Sequence, residues 1–319
     1  LSVGVPGTVS AIFQIHEKFG SLPIEDLFNP SIELAKNGFL VTQYLEDELN
    51  EKRNDFVRLN GENSLYSKKY KSGDTIFNKR YAETLKKIMI EGANGFYKGD
   101  IAKDMIETIS KNGGIMTMDD LAIYNAVWRD PVRFKYKDFD IISMSFPSSG
   151  GILLGQMMKA IEGFDLTNIK HNSPEYVQLL TEIERRAFAD RSDLMGDPDF
   201  MELPVYEFMN EDYVSERMIN FSWDRATPSS EVKPGKILFN ESYETTHFSI
   251  IDNYGNAVSV TTTLNNSFGS KVFVEKSGFF LNNEMDDFSS KPGYPNFFGV
   301  IGSEANSIQP NKRMLSAMT

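Results

Sequence analysis

The sequence predicts an α+β or layered α/β fold, and three observations carry that expectation. The first two thirds show apolar residues at helical spacing, the composition shifts near residue 225, and the runs beyond it are rich in β-forming residues.

Each element follows from local pattern. Ile101, Ala102, Met105, Ile106 and Ile109 recur at helical spacing, and Gly113-Gly114 supplies a stop. Residues 139–146 alternate apolar and polar and read as a strand. They end in Pro147-Ser148-Ser149-Gly150-Gly151, a turn feeding an apolar helix over 152–161. Tyr176, Leu180, Ile183 and Ala187 form another helical stripe, with Ser173-Pro174 as its start. Residues 50–75 are polar without periodicity and read as a surface excursion. Residues 226–235, rich in Pro, Ser and Lys, read as an exposed flexible connector. Residues 246–252 and 257–264 are β-rich runs joined by Asp252-Asn253-Tyr254-Gly255, a hairpin composition, and 278–283 is a further strand candidate.

Composition narrows the function classes. The chain is 40% hydrophobic and 24% charged, enough apolar residues to bury a core. No run approaches the ~18 apolar residues a membrane helix needs. With 45 acidic against 33 basic residues, the net charge of -12 repels phosphate backbones and disfavours nucleic acid as a partner. The absence of cysteine removes thiolate nucleophiles and Cys-based metal sites. His16, His171 and His247 lie far apart without ligand spacing, so no metal or cofactor is expected. The chain opens on Leu1-Ser2-Val3 without an initiator Met or leader and stops at Met318-Thr319, and both ends read as cuts inside a larger protein.

A hydroxyl nucleophile needs a base. Without a Ser-His-Asp constellation, one solution is a threonine whose own freed α-amine takes the proton. That amine has a pKa of about 7.7–8.0, so a useful fraction is neutral at pH 7. The threonine must then begin a strand directly after a cleavable loop. Glu244-Thr245-Thr246-His247-Phe248-Ser249-Ile250 fits this requirement, although a Thr-Thr pair before a strand is equally what β propensity produces.

The surrounding sequence resembles the γ-glutamyltranspeptidase family from Val5-Pro6-Gly7-Thr8-Val9 to the last residue. Matching blocks include Asn94-Gly95-Phe96-Tyr97-Lys98-Gly99, Asn112-Gly113-Gly114-Ile115, Pro147-Ser148-Ser149-Gly150-Gly151, Ala189-Asp190-Arg191-Ser192 and Gly196-Asp197-Pro198-Asp199-Phe200. After Thr245 come Thr263-Leu264-Asn265, Asn282-Asn283-Glu284-Met285-Asp286-Asp287-Phe288-Ser289 and Pro310-Asn311-Lys312-Arg313. Single blocks are weak, but so many in one order are specific.

The resemblance implies an N-terminal-nucleophile hydrolase fold, an αββα sandwich, and self-cleavage at Glu244-Thr245. Residues 1–244 would be most of a mainly helical large subunit, and 245–319 the start of the small one. Thr245 would attack the γ-carbonyl of glutathione or another γ-glutamyl donor, and water, an amino acid or a peptide would take the acyl group. Thr263 matches the threonine that orients the nucleophile. Asn265, Glu284 and Asp287 match the binders of the donor's α-ammonium, a group that wants carboxylates and amide oxygens. Two consecutive serines hold the α-carboxylate in the family, and here they are Ser316 and Ala317, one hydroxyl short. Phe298, in the Gly- and Pro-rich stretch from Pro292 to Gly299, matches an aromatic lid residue. The family's carboxylate-pairing arginine would lie before Leu1 and its oxyanion glycines after Thr319. The 319 residues alone are then expected to be weak or inactive, at a loss of roughly 10²–10³ in rate per oxyanion donor. By resemblance the parent protein is expected in the periplasm or secreted.

Two other readings compete. A cephalosporin-type acylase of the same fold draws support from Ala317, and an uncleaved, inactive binding remnant is of another class. Thr245, Thr263, Asn265 and Asp287 together speak against decay, because drift would not spare these residue types selectively.

Overall fold

The computed structural model describes residues 1–233, 246–297, 299 and 301–319. The chain divides into two compact units, Leu1–Val127 with Glu244–Met285 and Trp128–Tyr243 with Asp286–Thr319. Each unit thus draws on both sides of the Glu244-Thr245 bond.

The first unit begins with helices. α1 (Thr8–Phe19) and α2 (Ile24–Asn37) precede a short strand β1 (Phe39–Leu40), and α3 spans Gln43–Asn60. Helix α3 corrects the expectation of a surface excursion over 50–75, since residues 50–60 are helical. Thr42 Oγ1 caps it by accepting from Leu45 N at 3.2 Å, and Gly61 at φ +85° ends it. Its core-facing apolar residues are Leu45, Leu49, Phe56 and Leu59, spread thinly among charged residues, so the periodicity is faint in sequence. Phe56 is nevertheless fully buried, 5.2 Å from the Phe268 ring and 5.4 Å from that of Phe280. The remainder of 50–75 is turns and a short 3-10 helix (Leu65–Ser67) up to β2 (Thr75–Ile76), which pairs antiparallel with β1.

Helices α4 (Lys79–Glu91), α5 (Ala93–Tyr97), α6 (Asp100–Lys111) and α7 (Met118–Ala122) follow. The stripe Ile101, Ala102, Met105 and Ile109 is buried as its spacing requires, with Ile88, Phe96 and Leu121 packed around it. Gly113 takes φ +78° after α6, the left-handed step that stops the helix.

The second unit opens with an antiparallel hairpin, β3 (Val132–Tyr136) and β4 (Phe139–Ser143), in register Val132↔Ser143 and Tyr136↔Phe139. α8 spans Gly150–Glu162, α9 Pro174–Leu194 and α10 Glu211–Met218. Ser173 Oγ caps α9 through Tyr176 N at 3.3 Å, and Asn210 caps α10. Val132, Phe146, Ile152, Leu153, Ala187, Met195 and Leu315 form the core.

α9 also buries charge, and that is what fixes the expected connector. Glu182 Oε1 accepts from Arg185 Nη1 and from Thr227 N, both at 2.9 Å, while Arg185 Nη1 donates to Thr227 O at 2.8 Å. Thr227 and Val232 are buried while the other described residues of 226–235 are exposed, so the connector is exposed as expected but anchored at two points. A buried carboxylate must find donors, and here backbone and guanidinium supply them.

The chain returns to the first unit as a hairpin, β5 (Thr246–Ile251) and β6 (Ala257–Thr262), antiparallel from Thr246↔Thr262 to Ile251↔Ala257. Asp252 Oδ1 accepts from Tyr254 N and Asn256 N, both at 2.9 Å, and Gly255 takes φ +84°, so the turn forms as its composition expects. β7 (Phe273–Val274) pairs with β8 (Phe279–Phe280). The strand expected over 278–283 is therefore two residues long. Gly278 is a turn residue at φ +78°, and Asn282 and Asn283 spend their side chains on loop backbone instead. Val272, Val274 and Leu281 join the core around α6. The described strands pair two by two. Among the described residues no helix is long and apolar enough to cross a membrane.

Candidate active site

Thr263, Asn265 and Glu284 belong to the first unit. Thr263 directly follows β6, and its Oγ1 accepts from Asn265 N at 2.9 Å. That bond closes a tight turn in which Asn265 takes φ +76°, a conformation asparagine tolerates better than most residues. Asn265 is buried, and its Nδ2 donates to Asn283 O at 3.1 Å. Asn283 answers with two bonds, its Oδ1 accepting from Asn266 N at 3.0 Å and its N–H donating to Leu264 O at 3.0 Å. The paired asparagines therefore staple the Thr263–Asn265 turn to the start of the Glu284–Asp287 turn.

Asn282 faces the N-terminal segment. Its Oδ1 accepts from Gly4 N and its Nδ2 donates to Gly4 O, both at 2.9 Å, which is the pairing a neighbouring strand would make. The same Oδ1 accepts from Glu284 N at 3.1 Å, and Met285 N donates to Ser2 O at 3.1 Å.

Asp287, Ser316 and Ala317 belong to the second unit. Asp287 is partly buried at the end of its turn, and burial pushes its carboxyl up to about 6. The Arg191 guanidinium opposes that rise, and the Asp286 carboxylate adds to it. Asp286 is also raised by burial, although Phe297 N donates to its Oδ2 at 3.1 Å. Asn306, itself buried, donates to Asp287 O at 2.7 Å and accepts from Leu315 N at 3.0 Å. Asp287 is thereby tied to the segment carrying Ser316 and Ala317.

That segment is seated on the Pro147–Gly151 motif. Ser316 N donates to Pro147 O at 3.0 Å, and Ser316 O accepts from both the N–H and the Oγ of Ser149, each at 2.9 Å. Ser148 Oγ donates to Met318 O. Ser316 Oγ accepts from Met318 N at 3.1 Å, closing a local turn around Ala317. Gly150 admits this packing because a Cβ there would lie 2.7 Å from Ala317 O and closer still to Met318 O. Below the motif, Arg191 is buried within α9, with Nε donating to Ser149 Oγ at 3.0 Å and Nη2 to Leu315 O at 2.9 Å. Burial lowers its pKa to about 10, partly offset by Asp287.

A second latch holds the same tail. Asp197, fully buried, accepts from Arg313 N at 2.7 Å, while Asp199 takes a bidentate pair from Arg129 at 2.8 and 2.6 Å and a further bond from Arg313 at 3.2 Å. The blocks at 196–200 and 310–313, far apart in sequence, are the two sides of this contact.

Thr245 and Phe298 lie outside the described residues. Sequence reasoning gave no role to Arg191, Ser149, Asn306 or Asn282. Arg191, Ser149 and Asn282 stand in the motifs named above, and an arginine amid the apolar face of a helix was the available signal for the first; nothing local marks Asn306. Chemically, the first unit offers a fixed hydroxyl and amide, and the second a partly buried carboxylate beside ordered backbone. Each unit by itself thus carries oxygen acceptors of the kind a cationic group wants. Among the described residues no cluster of His, Asp and Glu is arranged to hold a metal.

Known proteins are similar to this chain over its whole length. The gamma-glutamyltranspeptidase family profile matches residues 1–319. A glutathione hydrolase proenzyme of Escherichia coli is 41% identical over 324 residues, covering 100% of this chain and 56% of that protein. An acylase ACY 1 proenzyme of a Pseudomonas species is 32% identical, covering 99% of this chain and 55% of its own length. The chain thus spans a little over half the length of these relatives. The crystal structure of Helicobacter pylori gamma-glutamyltranspeptidase superposes with a TM-score of 0.70 at 37% identity, covering 76% of this chain and 71% of that one. The helices and strands above are therefore those of the N-terminal-nucleophile hydrolase fold, and this chain belongs to the gamma-glutamyltranspeptidase family.

Proposed function

We propose that this chain is the core of a γ-glutamyl acyltransferase and glutathione hydrolase that matures by cutting itself at Glu244-Thr245. The observation that carries the reading is the 41% identity to a glutathione hydrolase proenzyme across the whole chain, with Thr245, Thr263, Asn265, Glu284 and Asp287 all of the types the chemistry needs. The freed Thr245 amine takes the hydroxyl proton as Oγ attacks the γ-carbonyl. The C–N bond breaks, the departing amine takes that proton, and a γ-glutamyl ester remains on Thr245. Water, an amino acid or a peptide then attacks the ester and restores the threonine. Thr263 supports the nucleophile. Asn265, Glu284 and Asp287 receive the α-ammonium, and Ser316 with the Ala317 backbone receives the α-carboxylate. Phe298 covers the donor. The resemblance also supports export to the periplasm or beyond.

A full-length protein purified as two pieces meeting at Glu244-Thr245, and releasing the amine from a γ-glutamyl anilide, is the expected result. An intact chain with no release would overturn the reading.

One observation favours a second reading. Ala317 stands where the family pattern has a second serine, and an acylase proenzyme is among the relatives at 32% identity. On this second reading the substrate of the present chain is an acyl amide lacking the amino-acid head.

A further inference from the structure

We propose that Arg191 is a positioning residue for the donor's head group, fixing the Ser316–Ala317 segment and holding a positive charge beside Asp287. The inference rests on the γ-glutamyl reading of this site.

The geometry is specific. One guanidinium bonds to Ser149 Oγ at 3.0 Å and to Leu315 O at 2.9 Å. Ser149 Oγ passes the contact on by donating to Ser316 O at 2.9 Å. The planar fork of arginine serves two acceptors in fixed directions, which a lysine ammonium cannot match. The surrounding α9 turn is locked as well. Asp190, also buried, accepts from Gln156 Nε2 at 2.6 Å and pairs with Arg217 at 3.1 Å. Ser192 O accepts from Ser303 N at 3.0 Å, and Asp193 O from Ser303 Oγ at 3.0 Å. The end of α9 is thus a platform on which the Pro147–Gly151 turn and the 303–315 segment are assembled.

Arg191 is buried, and the two hydrogen bonds above go to neutral acceptors, while the Asp287 carboxylate acts on it through space. A cation kept there at a desolvation cost calls for a use. Among the described residues, the charged groups acting on Asp287 are Arg191 from α9 and Asp286 from its own turn, and of these Arg191 favours the carboxylate form. With the donor absent, Arg191 keeps Asp287 ready for an ammonium. With the donor bound, the ammonium completes the charge balance.

The test is steady-state kinetics of a γ-glutamyl anilide across pH 5–9, with Arg191→Gln, Arg191→Lys and Ser149→Ala in the full-length protein. Arg191→Gln is expected to raise KM at least tenfold while kcat stays within about threefold. It should also move the acid limb of kcat/KM at least half a pH unit upward. Arg191→Lys keeps the charge, so its acid limb should stay with the parent's while KM still rises. Ser149→Ala cuts the link to Ser316 and should raise KM with the limb unmoved. If Arg191→Gln does not fold, the other two variants decide: a parental KM in both would overturn the inference. So would an Arg191→Gln enzyme that loses kcat and stability with an unmoved limb, since that is a purely structural role. A parent enzyme unable to use the γ-glutamyl donor would instead overturn the reading beneath it.

Discussion

Ser149 binds the carbonyl of Ser316 twice, through its backbone N–H and its side-chain hydroxyl, each at 2.9 Å. Two residues 167 positions apart are thereby held as closely as neighbours in a sheet, and Ala317 is presented next to a fixed backbone.

This fixed segment makes Ala317 a direct probe of substrate class. Ala317→Ser in the full-length protein adds a hydroxyl donor for the α-carboxylate, with an expected gain of roughly 1 kcal/mol or somewhat more. The carboxylate does not change during acyl transfer, so the gain should appear as a lower KM with kcat unchanged. A donor lacking the α-carboxylate should show no benefit. Equal effects on both donors would favour the acylase reading.

Gly150 should not tolerate a side chain. A Cβ there would lie 2.7 Å from Ala317 O, and backbone cannot swing away as a flexible side chain can. Gly150→Ala is expected to destabilise by about 1–3 kcal/mol, measured by urea unfolding. An unchanged midpoint would mean that the Ser316–Met318 segment can shift without cost.

Asp287 should set the acid limit of donor use. Its carboxyl is raised to about 6 by burial, and only the anion pairs with an ammonium. The kcat/KM for a γ-glutamyl anilide should therefore fall about tenfold per unit below pH 6. Asp287→Asn should lower kcat/KM at least tenfold at pH 7, as expected for loss of a charge-assisted bond of about 1.5–3 kcal/mol, and should remove that limb. A limb that persists in the variant would assign it to another group.

The same carboxyl makes a signed prediction about stability. Its folded pKa of about 6 lies above the ordinary 3.8, so between these values the folded state binds more protons than the unfolded one. The contribution of Asp287 is therefore fully present below pH 3.8 and is lost as pH rises through 6. Relative to Asp287→Asn, the parent protein should gain about 2–3 kcal/mol as pH falls from 7 toward 4. Urea unfolding of both proteins at several pH values checks this, and a constant difference would count against a raised carboxyl.

Maturation is tested at Thr245. In the full-length protein Thr245→Ala should leave one uncut chain without activity, read by intact mass and anilide release. Two subunits in that variant would place the cleavage chemistry elsewhere.

The family and the helices with strong periodicity were legible in the sequence. The stripe Ile101, Ala102, Met105 and Ile109 is buried in α6, and Ser173-Pro174 does start α9, because caps and apolar spacing act within a few residues. Helix α3 was missed because two core residues, Leu49 and Phe56, hold it down amid charged neighbours. The anchoring of the connector at Thr227 was not legible, because its partner Glu182 lies 45 positions earlier.

By itself the sequence determined which residue types are available: a threonine before a strand, an Asn-Asn pair, a carboxylate at 287 and an alanine at 317. Only the tertiary structure decided how they are supported. Asn265 is pinned by Asn283, and Ser316 by Ser149. Arg191 faces Ser149 and Leu315 rather than solvent, so the carboxyl of Asp287 titrates beside a buried cation. The physical reason is that hydrogen bonds and burial depend on distance in space, and residues dozens to hundreds of positions apart meet only once the core has closed.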